Sequence, residues 1–174
     1  QVVNHDKIPN SIIWNHRWEY DKNPEDFFAA LSYLKQRNVD FKLIVMGQQF
    51  RSIPESFGKA KEEFAESILC WGEQPREQYL NWLSRGEYVV STAIHEFQGI
   101  SVMEAVQHGA IPVVPNRLSY PEIFAGEYLF GDDENDLVDY LAKQLAGKNK
   151  LSSPSVDKYT WSDLVDSYRK LLTL

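Results

Sequence analysis

Short apolar runs alternate with longer helix-like stretches about five times along this chain, and that alternation constrains the fold more than any motif does. Five runs read as buried strands: SIIWNH (Ser11–His16), FKLIVMG (Phe41–Gly47), ILCWG (Ile68–Gly72), EYVVST (Glu87–Thr92) and IPVVP (Ile111–Pro115). EYLF (Glu127–Phe130) adds a short last one. The stretches between them follow helix grammar. NPEDFFAALSYLKQRN has Pro24 and two acids at its head, Phe27, Phe28, Leu31 and Leu34 at helical spacing, and Lys35 and Arg37 at its tail. Proline fits a first turn, acids suit the positive end of a helix, and bases suit the negative end. PESFGKAKEEFAES, PREQYLNWLSRG, Ile100–His108, DENDLVDYLAKQLAG and TWSDLVDSYRKLL read as further helices. Tyr120–Phe124 reads as a turn, and KNKLSSPSVDKY as a linker. Strands joined through helices pair in parallel by crossovers, with helices covering both faces. The expectation is an α/β, Rossmann-like, doubly wound and mainly parallel sheet of about six strands. A single domain is expected over 1–174, with 160–174 as a terminal helix.

Composition narrows the function classes. The 174 residues are 43% hydrophobic and 13% aromatic, enough for a sizeable core and against disorder. Lys and Arg number 18 against 25 Asp and Glu, a net charge of −7. Such a balance argues against attracting nucleic acid or anionic lipid by bulk charge, though it leaves room for a local basic pocket. The single cysteine, Cys70, excludes an internal disulfide and fits a reducing, cytoplasmic setting. No apolar run approaches the roughly 18 residues of a membrane span. The N-terminus lacks a signal pattern, and a chain opening on Gln1 reads as a piece of something longer.

In parallel sheets of this kind, ligands sit beyond the carboxyl ends of the strands. The loops after His16, Met46, Trp71, Ser91 and Val114 are therefore the ones to read. If a helix starts at Gly99, Ile100 and Ser101, its first amides have no partner within the helix and favour an anion. Gly99 would let a phosphate oxygen approach the backbone, although an ordinary loop glycine fits the position too. Glu104 lies about 7 Å further along that helix axis. From there its carboxylate can accept two hydrogen bonds from adjacent ribose hydroxyls. Its neighbours Val102, Met103, Ala105 and Val106 are a poor setting for a solvated glutamate. Glu96, in the loop, can reach a sugar on the far side of a diphosphate. Two acids also suit a glycosidase, which uses carboxylates about 5–10 Å apart, and the pair alone leaves both readings open. Arg17 and Lys22 follow the first strand and can grip a diphosphate and steady its departure, or can simply be solvated. Gly47 closes the second strand, and Trp71 and Gly72, ending the third, can lie near a nucleobase; core packing is the other role for Trp71. His5, His16 and His95 have no metal-ligand spacing, so no metal site is expected. G-x-G-x-x-G, Walker A and G-x-S-x-G patterns are all absent.

These residues carry a resemblance. Arg17 and Lys22 in an R-x4-K pair, the strand ending VMG, the WGEQP turn and the E-x7-E element in HEFQGISVMEAVQHGAIPVVPN resemble the donor-binding half of retaining, two-lobed (GT-B) glycosyltransferases. The likeness runs from about Ile12 to Phe130 and on toward the Trp161 helix. HRWEYDKNPEDFF, STAIHEFQGISVMEAV and YPEIFAGEYL are most similar to the tRNA-queuosine α-mannosyltransferase family, which uses GDP-mannose. The resemblance implies that Arg17 and Lys22 hold the diphosphate, Glu96 contacts hexose hydroxyls, Glu104 holds the ribose and the Gly99–Ser101 backbone meets the distal phosphate. It implies a nucleotide-sugar co-substrate, no metal or other cofactor, and retention at the anomeric carbon. One departure is the MGQQF loop, with a single glycine where many relatives have two. The other is length: the chain matches one lobe of a GT-B fold, and an N-terminal lobe carrying the acceptor site, with tRNA as the acceptor suggested, would precede Gln1. Two rivals share the architecture, a nucleotide-sugar epimerase and a non-catalytic nucleotide-binding module.

Overall fold

The structure, a computed structural model, describes residues 6–49, 52–131, 134–147 and 151–172. His5, Phe50 of the MGQQF loop, Asp133 at the head of the DENDLVDYLAKQLAG segment with Asp132 before it, the KNK of the linker and 173–174 lie outside the described residues.

Six strands form one sheet: β1 (Ser11–Trp14), β2 (Lys42–Met46), β3 (Ile68–Gly72), β4 (Tyr88–Val90), β5 (Ile111–Pro115) and β6 (Leu129–Phe130). Their order is β3-β2-β1-β4-β5-β6, and every pairing is parallel. The helices are α1 (Pro24–Gln36), α2 (Ser56–Glu63), α3 (Arg76–Arg85), α4 (Ile100–Gln107), α5 (Tyr120–Ile123), α6 (Glu134–Leu145) and α7 (Trp161–Leu172). Because β1 to β2 runs one way across the sheet and β4 to β5 the other, right-handed crossovers place their helices on opposite faces. The packing agrees: α1 rests against α2 and α6, while α3 rests against α4. The expected doubly wound α/β sheet is therefore present. Among the described residues no helix is long and apolar enough to cross a membrane.

Coverage on both faces explains the composition of the central strands. Ile12, Ile13 and Trp14 of β1, Leu43 to Met46 of β2 and Val113 and Val114 of β5 are fully buried. Over the carboxyl ends of β1 and β3 lies an aromatic cluster. Trp18 stacks on Phe57 at 4.0 Å between centroids, and Trp71 meets Trp18 edge-on at 5.5 Å. Phe28 and Trp14 complete it through Phe57.

Several strands are shorter than the apolar runs suggest. SIIWNH pairs only as far as Trp14, because the Asn15 side chain bonds the Ser101 carbonyl and Trp18 N–H turns to the Gln48 carbonyl. EYVVST pairs only over Tyr88–Val90, after which Thr92 bonds back to the Lys22 and Asn23 carbonyls. EYLF contributes two paired residues, since Gly126–Tyr128 forms a 3₁₀ turn first. The peeled ends are the loops at the carboxyl edge.

At the opposite edge, Lys7 ties helix ends together. Its ammonium donates to the carbonyls of Gly86 and His108, each at 2.8 Å, at the close of α3 and α4. A cation suits these carbonyls, which have no partner inside their helices. Lys7→Met is expected to lower stability by about 1–3 kcal/mol in urea unfolding with the slope unchanged. An unchanged midpoint would mean the clamp contributes nothing.

Candidate functional site

The strand order reverses between β1 and β4, so the loops leaving these two strands diverge and open a crevice. One wall starts at Asn15, His16 and Arg17. The other is the loop from Ser91 to Gly99 that leads into α4. The turn Tyr20–Lys22 fastens the two together. Asp21 C=O accepts the amides of Ile94 at 2.8 Å and His95 at 3.2 Å. Thr92 Oγ1 lies 2.8 Å from the Asn23 carbonyl, and Asn23 turns the chain into α1 at φ 50°, a conformation asparagine tolerates well.

This fastening creates the first centre. Lys22 is only 7% exposed, and its ammonium donates to the His95 carbonyl at 2.6 Å. It lies 3.3 Å from both the Glu96 and the Asp21 carboxylates. Glu96 Oε1 accepts three successive amides, Phe97 at 3.1 Å, Gln98 at 3.3 Å and Gly99 at 3.0 Å. Burial opposes ionisation of Glu96, but the Gly99 amide and the Lys22 charge outweigh it and hold the carboxyl below its usual range. Gly99 makes the turn into α4 at φ 64°, where a side chain would be strained and would also press on the Tyr120 ring at 3.2 Å.

The second centre is Glu104, about one turn into α4. Its Oε2 accepts the Tyr79 hydroxyl at 3.0 Å, and its Oε1 is closely paired with Arg76. Asn15 Nδ2 donates to the Tyr79 oxygen at 3.0 Å and to the Ser101 carbonyl at 2.8 Å, so β1, α3 and α4 are linked through one buried amide. Burial, then the Glu104 charge, raises the Tyr79 phenol well above its ordinary value, so it stays a donor. A cleft of about 300 Å³ is lined by Asn15, Arg17, Gly47, Arg76, Tyr79 and Glu104, among others. Gly47 is there because the loops touch: a Cβ on it would lie 1.9 Å from the His16 carbonyl oxygen.

Arg17, Gly47 and Glu104 thus share the cleft, with Arg17 half-exposed and paired with Glu19 at 3.1 Å. Lys22 and Glu96 form the neighbouring buried pair. Gly99, Ile100 and Ser101 open α4 as expected, with the Gly99 amide already on Glu96 and Ile100 exposed. Trp71 packs into the aromatic cluster and does not line the cleft, while Gly72 lies beside Gln49. Among the described residues no cluster of three or more His, Cys, Asp or Glu side chains is placed to hold a metal. Sequence reasoning missed Asn15, Arg76 and Tyr79. The three-residue spacing of Arg76 and Tyr79 puts them on one face of α3, but nothing local says that this face meets Glu104.

His16 lies between the two centres. It is fully buried, with Nδ1 3.1 Å from Ser101 Oγ. Burial, reinforced by the Lys22 charge, lowers its pKa to about 4. The folded state therefore binds fewer protons than the unfolded state between about pH 6.5 and 4, and stability falls as pH is lowered through that window. His16→Asn is expected to flatten the fall in melting temperature between pH 6.5 and 4.5; an equally steep fall would show that His16 does not cause it.

The profile of the family Glycosyl transferases group 1 matches residues 1–161. A Drosophila melanogaster protein described as tRNA-queuosine alpha-mannosyltransferase is 43% identical over 119 residues, which cover 68% of this chain and 32% of that protein. The chain thus spans about a third of that relative's length. Among solved structures, S. aureus TarM in complex with fondaparinux, alpha-GlcNAc-glycerol and UDP superposes with a TM-score of 0.78 at 17% identity, covering 98% of this chain and 37% of TarM. The pneumococcal O-GlcNAc transferase GtfA, in complex with UDP and GlcNAc, gives 0.72 at 16% identity over 97% of this chain and 36% of its own. The C-terminal domain of the Francisella tularensis glycosyl transferase group 1 family protein LpcC gives 0.64 at 16% identity, covering 80% of this chain and 77% of its own. These likenesses confirm the fold as that of one GT-B lobe, and with the profile match they establish that the chain belongs to the family Glycosyl transferases group 1.

Proposed function

We propose that this chain is the donor-binding lobe of a retaining glycosyltransferase that moves mannose from GDP-mannose to queuosine in tRNA. The observation that carries the donor reading is the pair of carboxylates set on either side of the first turn of α4, Glu96 just before it and Glu104 just after it. The first-turn amides of such a helix suit phosphate oxygens. A nucleotide sugar laid along this end puts its phosphates at Ile100 and Ser101, its ribose hydroxyls at Glu104 and its hexose at Glu96. The Drosophila relative supports mannose, queuosine and tRNA.

In the reaction the bond from the anomeric carbon to the diphosphate oxygen breaks, an acceptor hydroxyl oxygen takes its place with the same configuration, and the hydroxyl proton passes to the departing diphosphate. Negative charge grows on the departing phosphate. Arg17, half-exposed in the cleft, neutralises it by direct contact, and the α4 amides assist. Lys22 acts from beneath: its buried ammonium adds positive field and holds Glu96 ionised to accept hexose hydroxyls. The acceptor is bound mainly by a preceding lobe of the longer protein, which places any basic tRNA-binding surface outside this chain. The transfer needs no metal and takes place in the cytoplasm.

The test is titration calorimetry of the chain with GDP, UDP and ADP. GDP is expected to bind most tightly, and Glu104→Ala to weaken it by about 30- to 150-fold, two charged hydrogen bonds being lost. Equal GDP affinity in a folded Glu104→Ala variant would contradict the ribose assignment. Preference for UDP would keep the donor lobe and discard GDP-mannose.

A further inference from the structure

The donors on Glu104 are unequal. Tyr79 is held from behind by Asn15, which is 5% exposed and anchored to the Ser101 carbonyl. Arg76 comes from the first turn of α3, with its side chain 67% exposed against 22% for Glu104. It lies over the Tyr79 ring at 5.5 Å and touches Glu104 from the solvent side. Oε2 is thus fixed by the fold, whereas Oε1 is covered by a cation that solvent can reach.

We infer that Arg76 competes with the ribose hydroxyls for the Glu104 carboxylate, so that binding of a ribonucleotide releases its guanidinium. This rests on the donor-site reading above and adds a residue to it. Arg76 and Glu104 line the same cleft, and a nucleoside entering there meets both. An exposed ion pair is a weak competitor, since water and salt screen it and the long side chain regains freedom on release. A cis-diol brings two O–H donors to the carboxylate at once. Arg76 is therefore a positioning residue whose occupancy of Glu104 is linked to the ligand's sugar.

The test compares GDP with 2′,3′-dideoxyguanosine 5′-diphosphate on the chain by titration calorimetry. The dideoxy nucleotide lacks the hydroxyls and leaves Arg76 on Glu104, so the ratio of the two dissociation constants isolates the contest. Removing a positive charge by itself weakens both diphosphates alike and leaves that ratio unchanged. Arg76→Ala is expected to raise the preference for GDP over the dideoxy nucleotide by about 2- to 5-fold. Arg76→Lys, which keeps a competing charge without the planar fork, is expected to fall between. If the wild-type chain prefers GDP but Arg76→Ala leaves or lowers that preference, Arg76 is no competitor, and the ribose bonds to Glu104 beside it. If the wild-type chain does not distinguish the two nucleotides, the ribose assignment itself falls, and the contest with it.

Discussion

The site depends on one buried cation. The Lys22 ammonium, only 7% exposed, is bound by the His95 carbonyl and flanked by the carboxylates of Asp21 and Glu96. An unpaired charge at that depth would be severely penalised, so the two loops that supply its partners must stay where they are. Those loops leave β1 and β4, the strands at which the sheet reverses direction. A single paired charge thereby closes the switch point of the fold into a defined shape.

From that point the geometry follows link by link. Lys22 orients Glu96, Glu96 gathers the three amides that precede α4, and Gly99 then turns the chain into the helix. The helix projects Glu104 toward α3, where Tyr79, itself held by Asn15, donates to it. His16 is sealed between the two centres and kept neutral by burial, so it adds no charge near the position proposed for the phosphates. Glu96 is oriented by Lys22 and three loop amides, and Glu104 by two side chains of α3, the kind of preorganisation a site needs when it works by binding charge.

The fold was legible because its signal is local. The central strands are short apolar runs buried on both faces, α1 carries its own start and stop residues, and the alternation permits little besides a parallel doubly wound sheet. The start of α4 was legible for the same reason, since Gly99 and the E-x7-E spacing lie in one continuous stretch. Strand ends were less legible: Asn15, His16 and Thr92 look like strand residues, yet their side-chain hydrogen bonds go to the first turn of α4 and to the residue that leads into α1. The Lys22 charge was visible, but its burial was not, because the three groups around it come from two segments far apart in sequence. Arg76 and Tyr79 read as ordinary polar and aromatic positions of an amphipathic helix; only the packing of α3 on α4 brings them to Glu104. Trp71 shows the reverse case, a residue suited by type to a nucleobase that packs, partly buried, against Trp18, Phe28 and Phe57 at the margin of the core.

If a nucleotide sugar lies along the first turn of α4, titrating the labelled chain with GDP-mannose moves the backbone amide signals of that turn, and NMR reads the shifts residue by residue. The largest amide shifts are expected at Ile100 and Ser101, with further shifts at Gly47 and Glu104. Shifts centred instead on the apolar groove formed by Met103, Ile123, Tyr159 and Leu164, and sparing Ser101, Gly47 and Glu104, would overturn that placement.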